Sequence, residues 1–103
     1  MLKLKANPTF RGKVTIPAPD GEVVADFEFK HRTRKAYGEW LKSLTENKTP
    51  MLDVVMDMAV EWFDADAPFS REAIDEFLQN YHAAGDAIFD RYIELLSGAK
   101  LGN

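Results

Sequence analysis

The sequence predicts an α+β fold, in which an N-terminal antiparallel β-hairpin is followed by about four α-helices packed as a small bundle. Two observations predict it. Residues 22–31 alternate with the period of a strand, and the apolar residues after position 33 recur at helical spacing. With 46% hydrophobic residues and a net charge of −4, the chain has the composition of one folded domain over residues 1–103.

The hairpin is predicted over residues 10–31. Val14 and Ile16 share one face of its first strand, and a Pro-Asp-Gly turn leads to the second. Phe27 and Phe29 share one face of the second strand and are expected to enter the core. Because two strands alone are marginally stable, these phenylalanines need helices, or strands of another copy, to pack against.

Four helices are predicted from capping residues and apolar spacing. Thr33 and Ser70 are suitable N-caps for the first and third helices. Thr49 followed by Pro50 is a start of the cap-then-proline kind for the second helix, and Gly98 can end the fourth. The predicted helices cover residues 34–45, 50–62, 71–80 and 83–97.

The third and fourth helices are expected to close the core. Their large apolar residues fall on continuous stripes at helical spacing. The residues expected to be buried there are Ile74, Phe77, Leu78, Ile88, Tyr92 and Leu95.

Charge is distributed unevenly along the chain. Residues 1–48 contain ten Lys or Arg and six Asp or Glu, which gives +4, whereas residues 49–103 contain three and eleven, which gives −8. The acidic second half disfavours nucleic acid as a partner, because its helices would approach phosphate with the wrong sign. The basic cluster at residues 30–35 is either a solvated corner or an electrostatic docking site for an acidic partner, such as another copy. The docking residues would be Lys30, Arg32, Arg34 and Lys35.

No reaction centre is recognisable, so we predict that the protein is not an enzyme and uses no cofactor or metal. Cysteine is absent, which excludes thiolate ligands and a catalytic thiol. Carboxylates within residues 53–61 and 86–94 recur four apart and are interpreted as solvated helix faces. Residues 64–75 begin like a calcium loop, but Pro68 and Phe69 stand where an oxygen ligand and a glycine are required.

The sequence contains no recognisable targeting or membrane segment. Residues 1–10 lack the apolar run of a secretory signal, and no stretch approaches the roughly 18 apolar residues of a membrane span. We therefore expect a cytoplasmic protein that binds no membrane.

The densest group of apolar residues surrounds the acidic turn after the predicted second helix. Trp62 and Phe63 are neighbours, and adjacent residues of a helix point about 100° apart, so both cannot face one narrow core. Core packing is one interpretation of this group. The other is an adaptable surface that accepts an apolar helix of a partner. Its residues would be Trp62, Phe63, Phe69, Met58 and Tyr81.

Three segments of the chain also match the pattern of a known family. They are LKLKANPTFRGKVTIPAPDGEVVADFEFKHRTRKAYGEWL, EWFDADAPFSREAIDEFLQNY and GDAIFDRYIELL. In this order they resemble the tail assembly chaperones of long-tailed bacteriophages and prophages, in which an acidic turn after a tryptophan and a Pro-Phe-Ser helix start recur. The sequence departs from that pattern at His82, where such proteins often carry a proline.

The resemblance implies a non-enzymatic helper that shields the apolar tape measure protein until tail tube subunits polymerise around it. The implied partners are the tape measure protein, the tail tube protein and further copies of the chain in a homo-oligomer. Two alternatives remain. One is a structural or adaptor subunit of the tail, whose hairpin adds to a neighbour's sheet. The other is a small nucleic-acid binding regulator that uses residues 71–97 as a helix-turn-helix.

Overall fold

A three-stranded antiparallel sheet and four helices make up the described part of the chain, which confirms the α+β class with an N-terminal hairpin. The computed structural model describes residues 1–98. In chain order the elements are β1 Thr9–Ile16, β2 Val23–Lys30, α1 Arg34–Glu46, α2 Met51–Met58, β3 Ala59–Phe63, α3 Arg71–Asn80 and α4 Ala84–Ser97.

The strands of the sheet differ in length, and β2 lies at its centre. β1 pairs with β2 along all eight residues of both strands. β3 pairs with β2 only over residues 26–29. Within residues 1–98, residues 23–25 of β2 therefore have a neighbouring strand on the β1 side alone.

The prediction of a helix over residues 50–62 is wrong beyond Met58. The helix ends there, and Ala59 has extended backbone, with φ −109° and ψ 146°. The residues that follow form β3, because this valine- and aromatic-containing run fits a strand as well as a helix and the second edge of β2 supplies backbone partners. The predicted cap is also wrong, since Pro50 holds the N-cap position and no side chain caps α2.

Side chains cap the first and third helices as predicted. Thr33 Oγ1 accepts a hydrogen bond from the backbone N–H of Ala36 at 3.1 Å. Ser70 Oγ accepts one from Ala73 at 3.0 Å. Each bond satisfies a backbone donor that the first turn of a helix leaves unpaired. At the end of α4, Gly98 has φ 73°, in the left-handed region that favours glycine.

The core lies between the inner face of the sheet and the helices, with α4 against β1 and α2 against β2 and β3. Phe27 and Phe29 are fully buried, as predicted, and the partners they need come from β3 and the helices of the same chain. The predicted set from α3 and α4 divides between fully and partly buried residues. Fully buried are Ile74, Ile88 and Tyr92, and partly buried are Phe77, Leu78 and Leu95.

The ring of Tyr92, on α4, occupies the middle of this core and is fully buried. It lies 5.9 Å from the Phe10 ring in a stacked arrangement and 5.4 Å from the Phe29 ring, measured between centroids. The Trp40 ring meets it edge-on at 5.6 Å and 78°. Tyr92 thereby joins α4, the sheet and α1 through aromatic contacts of favourable geometry.

The hydroxyl of Tyr92 adds polar links to these contacts. It donates to the carbonyl oxygen of Lys30 at 2.6 Å and accepts from Nη1 of Arg32 at 2.9 Å. Burial raises the pKa of this phenol, so it remains a protonated donor at neutral pH. The hydroxyl therefore fixes α4 to the corner where β2 leads into α1.

Trp40 extends the same set of contacts to α2. Its indole Nε1 donates to Oδ2 of Asp57 at 3.0 Å, and the guanidinium of Arg32 lies 4.3 Å from its ring centroid. Asp57 was expected on a solvated face, but it is half-buried and holds this indole instead. The cation–π contact holds α1 against the corner that follows β2, and the hydrogen bond holds α1 against α2.

Replacing Tyr92 with phenylalanine tests the role of the hydroxyl. The change keeps the ring but leaves the Lys30 carbonyl without its donor, which should lower the free energy of unfolding by about 1–3 kcal/mol. Urea unfolding followed by circular dichroism measures this as a lower midpoint with an unchanged slope. Tyr37→Phe is the control, since the Tyr37 hydroxyl makes no hydrogen bond to the described residues. Equal losses in the two variants would contradict this role.

Candidate functional site

A groove of about 700 Å³ opens beside the part of β2 that lacks a second neighbouring strand. One side is the turn between β1 and β2 with the start of β2, and the other is the loop after β3 with one face of α3. We call it the acidic groove. Its lining consists of residues 18–26 and 62–67 together with Ala73, Glu76, Phe77, Asn80 and Tyr81.

The acidic groove carries charge of one sign. Among the described residues that line it, six have carboxylate side chains and none is basic. Five of the six form no salt bridge within residues 1–98, so their charge faces the groove or solvent. The carboxylates are Asp20, Glu22, Asp26, Asp64, Asp66 and Glu76.

Trp62 forms the aromatic wall of the acidic groove. Its ring meets those of Phe69 and Phe77 edge-on, at 5.9 Å and 6.0 Å between centroids. Its indole Nε1 donates to the carbonyl oxygen of Ala67 at 2.8 Å, which closes the acidic loop onto the end of β3. The side chain is half-buried. Trp62 therefore shapes the groove from inside the fold and presents part of its ring to it.

Phe63 lies on the opposite face of the sheet from Trp62. Adjacent residues of a strand point to opposite faces, so the two aromatics separate more widely than the predicted helix would allow. The guanidinium of Arg11 covers the Phe63 ring at 4.0 Å and donates to both oxygens of Asp26, at 3.1 Å and 2.8 Å. The hydrogen bond from Arg11 lowers the pKa of the Asp26 carboxyl.

The remaining residues of the predicted apolar surface separate in the structure. Tyr81 lines the acidic groove beside Phe77, 5.1 Å between ring centroids. Phe69 supports Trp62 from behind without lining the groove. Met58 is fully buried in the core, so it presents no surface to a partner in this structure. Its burial was not expected because it stands at the junction of α2 and β3, which the sequence pattern did not reveal.

The basic cluster at residues 30–35 is only partly available for docking. Lys30, Arg34 and Lys35 are exposed. Arg32 is half-buried, and its guanidinium is engaged by the Tyr92 hydroxyl and the Trp40 ring, so it is less available for docking than its neighbours. The turn from β2 into α1 directs this guanidinium back over the indole.

Sequence reasoning did not find the hairpin side of the acidic groove. Asp20 and Glu22 belong to the half of the chain with a net charge of +4, which concealed their contribution to an acidic surface. The available signal was the turn itself, whose two carboxylates flank Gly21 at the tip of a hairpin. The strand pairing of Trp62 with Phe27 then brings that tip beside the acidic loop.

A second cavity, of about 340 Å³, lies between α2, α3 and α4 and includes His82 among its lining residues. Within residues 1–98, no group of histidine, aspartate or glutamate side chains is placed to hold a metal ion. None of the helices in this range combines the length and apolar character that a membrane span requires.

Comparison with known proteins was informative at the level of family. The family model described as phage tail assembly chaperone matches residues 1–103, the whole chain. The comparison with curated proteins found no match, and neither did the comparison with solved structures. The matched range includes every residue that lines the acidic groove.

The ion pair between Arg11 and Asp26, at the acidic groove, should make the stability of the fold depend on pH. The pKa of Asp26 is lower in the folded protein than the value of about 3.9 for an unfolded aspartate. Its contribution to stability is therefore fully present above that pH and is lost as the pH falls through the folded-state pKa. We expect the stability difference between the wild type and Asp26→Asn to shrink at acid pH.

Urea unfolding from neutral pH to about pH 2 would measure this difference over the range in which aspartate titrates. Asp20→Asn is the matched control, because Asp20 is exposed and forms no salt bridge among the described residues. A difference for Asp26→Asn that stays constant over the whole range would show that the ion pair does not stabilise the fold.

Proposed function

The chain belongs to the phage tail assembly chaperone family, and from that premise we propose that it binds and shields the apolar tape measure protein while tail tube subunits assemble around it. The observation that carries the proposal is the family match over the entire chain. The proposed setting is the cytoplasm of the host bacterium, and the proposed role is non-enzymatic.

We place contact with this client in the acidic groove. The groove joins aromatic surface from Trp62 and Tyr81 to unpaired carboxylates, so it suits a segment that presents apolar and basic side chains together. Phe63 adds apolar surface at its rim on the far side of β3. Because the indole of Trp62 is held by its hydrogen bond to Ala67 and by its edge-on contact with Phe77, the groove is formed before a client binds, which lowers the entropic cost of binding.

The exposed basic residues support a second contact of opposite charge. Lys30, Arg34 and Lys35 lie at the corner between β2 and α1, and the groove lies toward the other end of β2. We propose that this corner docks an acidic partner, either the tail tube protein or another copy of the chain in a homo-oligomer. Separation of the two charges along the molecule leaves each free for its own partner.

A structural or adaptor subunit of the tail is the second candidate. It is favoured by the one-sided pairing of residues 23–25, since a neighbour's strand could add to that edge. Mass measurement separates the two functions, because a chaperone stays in small assemblies whereas a tube subunit polymerises. The nucleic-acid alternative gains no support, since Asp86 and Asp90 are exposed on α4, which would be the recognition helix.

Co-expression with the tape measure protein of the same phage tests the proposed function. The tagged chain should retain the tape measure protein on an affinity column and raise its soluble fraction. Asp66→Lys with Glu76→Lys reverses two exposed groove charges without touching the core, and should reduce retention at least about tenfold if a basic segment is bound.

The matched control is Glu39→Lys with Asp90→Lys, which makes the same charge change at exposed sites outside the groove. This control should retain the tape measure protein as the wild type does. A wild type that neither retains nor solubilises the tape measure protein would overturn the proposed function. Equal retention by the groove variant and the control would place the client elsewhere on the surface.

A further inference from the structure

Residues 1–5, which we call the arm, are an exposed apolar and basic segment. They read Met-Leu-Lys-Leu-Lys and precede β1 without helix or strand. Leu2 is 85% exposed and Leu4 is 95% exposed, and they alternate with Lys3 and Lys5. An extended chain with this period presents leucine on one side and lysine on the other. Burial of these leucines against another surface would remove apolar area from water, which is favourable.

The acidic groove contains an empty strand position that fits such a segment. Residues 23–25 of β2 are paired with β1 but not with β3, because Asp64 turns the chain away at φ 56°. An added strand would continue the line of β3 and pair with the open side of these residues. Val24, 62% exposed, lies at this position. The groove therefore offers backbone partners as well as side-chain contacts.

The side chains of the arm and of the acidic groove are complementary. The aromatic wall formed by Trp62, Phe77 and Tyr81 provides apolar surface for the leucines. The loop carboxylates of Asp64 and Asp66 provide charge opposite to that of the lysines. The lysines are not committed to strong ion pairs, since Lys3 only donates to Asn7 Oδ1, at 3.1 Å, and neither forms a salt bridge within residues 1–98.

The whole arm cannot lie along the groove of its own chain. It is joined to Thr9, which pairs with Lys30 at the end of the hairpin opposite to the groove. Residues 23–25 pair with residues 14–16, so the near end of the open strand position lies about 16 Å from Thr9 along the sheet and about two strand spacings across it. Lys5, four steps before Thr9, reaches at most about 14 Å. Only the arm of a second copy can therefore place all five residues in the groove.

We propose that the arm of one copy binds in the acidic groove of a second copy, as an added strand beside residues 23–25. When two copies meet with their hairpins antiparallel, the start of β1 in each copy, from which its arm extends, lies beside the groove of the other copy. The exchange is then reciprocal and gives a closed two-fold dimer. The exchange buries the exposed leucines and fills the free edge of β2. A client that binds the same groove would compete with the arm.

Sedimentation equilibrium of the purified full-length protein, with no tail protein present, tests this exchange. The wild type should form a dimer whose dissociation constant rises with salt, because lysines meet carboxylates. Lys3→Glu with Lys5→Glu should raise that constant at least about tenfold. Asp66→Lys with Glu76→Lys should do the same. An equimolar mixture of the two double variants should again form dimers, since each arm or groove then meets its opposite charge.

Lys42→Glu with Lys48→Glu is the matched control, because it makes the same charge change at exposed sites outside the arm, the acidic groove and the basic corner. It should associate like the wild type. The exchange is refuted by a wild type that stays monomeric at every concentration, by arm and control variants that associate equally, or by a mixture that does not restore dimers. Since the measurement contains no tape measure protein, a negative result leaves the client-binding test unaffected, and the reverse also holds.

Discussion

The hydroxyl of Tyr92 holds the helical layer on the sheet, and the shape of the rest of the molecule depends on that attachment. It bonds to the last carbonyl of β2 and to Arg32 at the start of the following corner. Arg32 in turn covers Trp40, whose indole reaches Asp57 on α2. One buried phenol thus fixes three helices relative to the far end of β2, and packing around its ring fills the centre of the core.

Because the helices are fixed at that end, the opposite end of β2 is left to the hairpin turn and the acidic loop. β3 stops at Phe63, and the indole of Trp62 holds the loop that follows against α3. The result is a strand position without a strand, between aromatic surface and unpaired carboxylates. A partner that supplies an extended or amphipathic segment with basic residues satisfies all three features at once. The same geometry therefore accounts for both proposed occupants, the client and the arm of a second copy.

Local rules predicted much of this fold, and tertiary contacts decided the remainder. Thr33 and Ser70 act as caps because their hydroxyls satisfy donors within three residues, which sequence reveals directly. The run Ala59–Phe63 became a strand because β2 had a second edge to fill, and the pairing partners lie at least thirty residues earlier in the chain. Arg32 and Met58 were assigned to the surface. Distant helices and strands bury Met58 fully and Arg32 in part. The acidic groove depends on the same long-range pairing, which joins carboxylates from both halves of the chain.

The free edge of β2 is the feature on which the binding account depends, and amide hydrogen exchange observes it directly. NMR at one protein concentration would measure exchange at residues 23–25 in the wild type and in the double variant Lys3→Glu, Lys5→Glu. Residues 27–29, which are paired on both sides, serve as the internal reference. The account predicts slower exchange of the outward-facing amides of residues 23–25 in the wild type and unchanged exchange at the reference residues. Equal exchange at residues 23–25 in both proteins, under conditions where the wild type is dimeric, would contradict it.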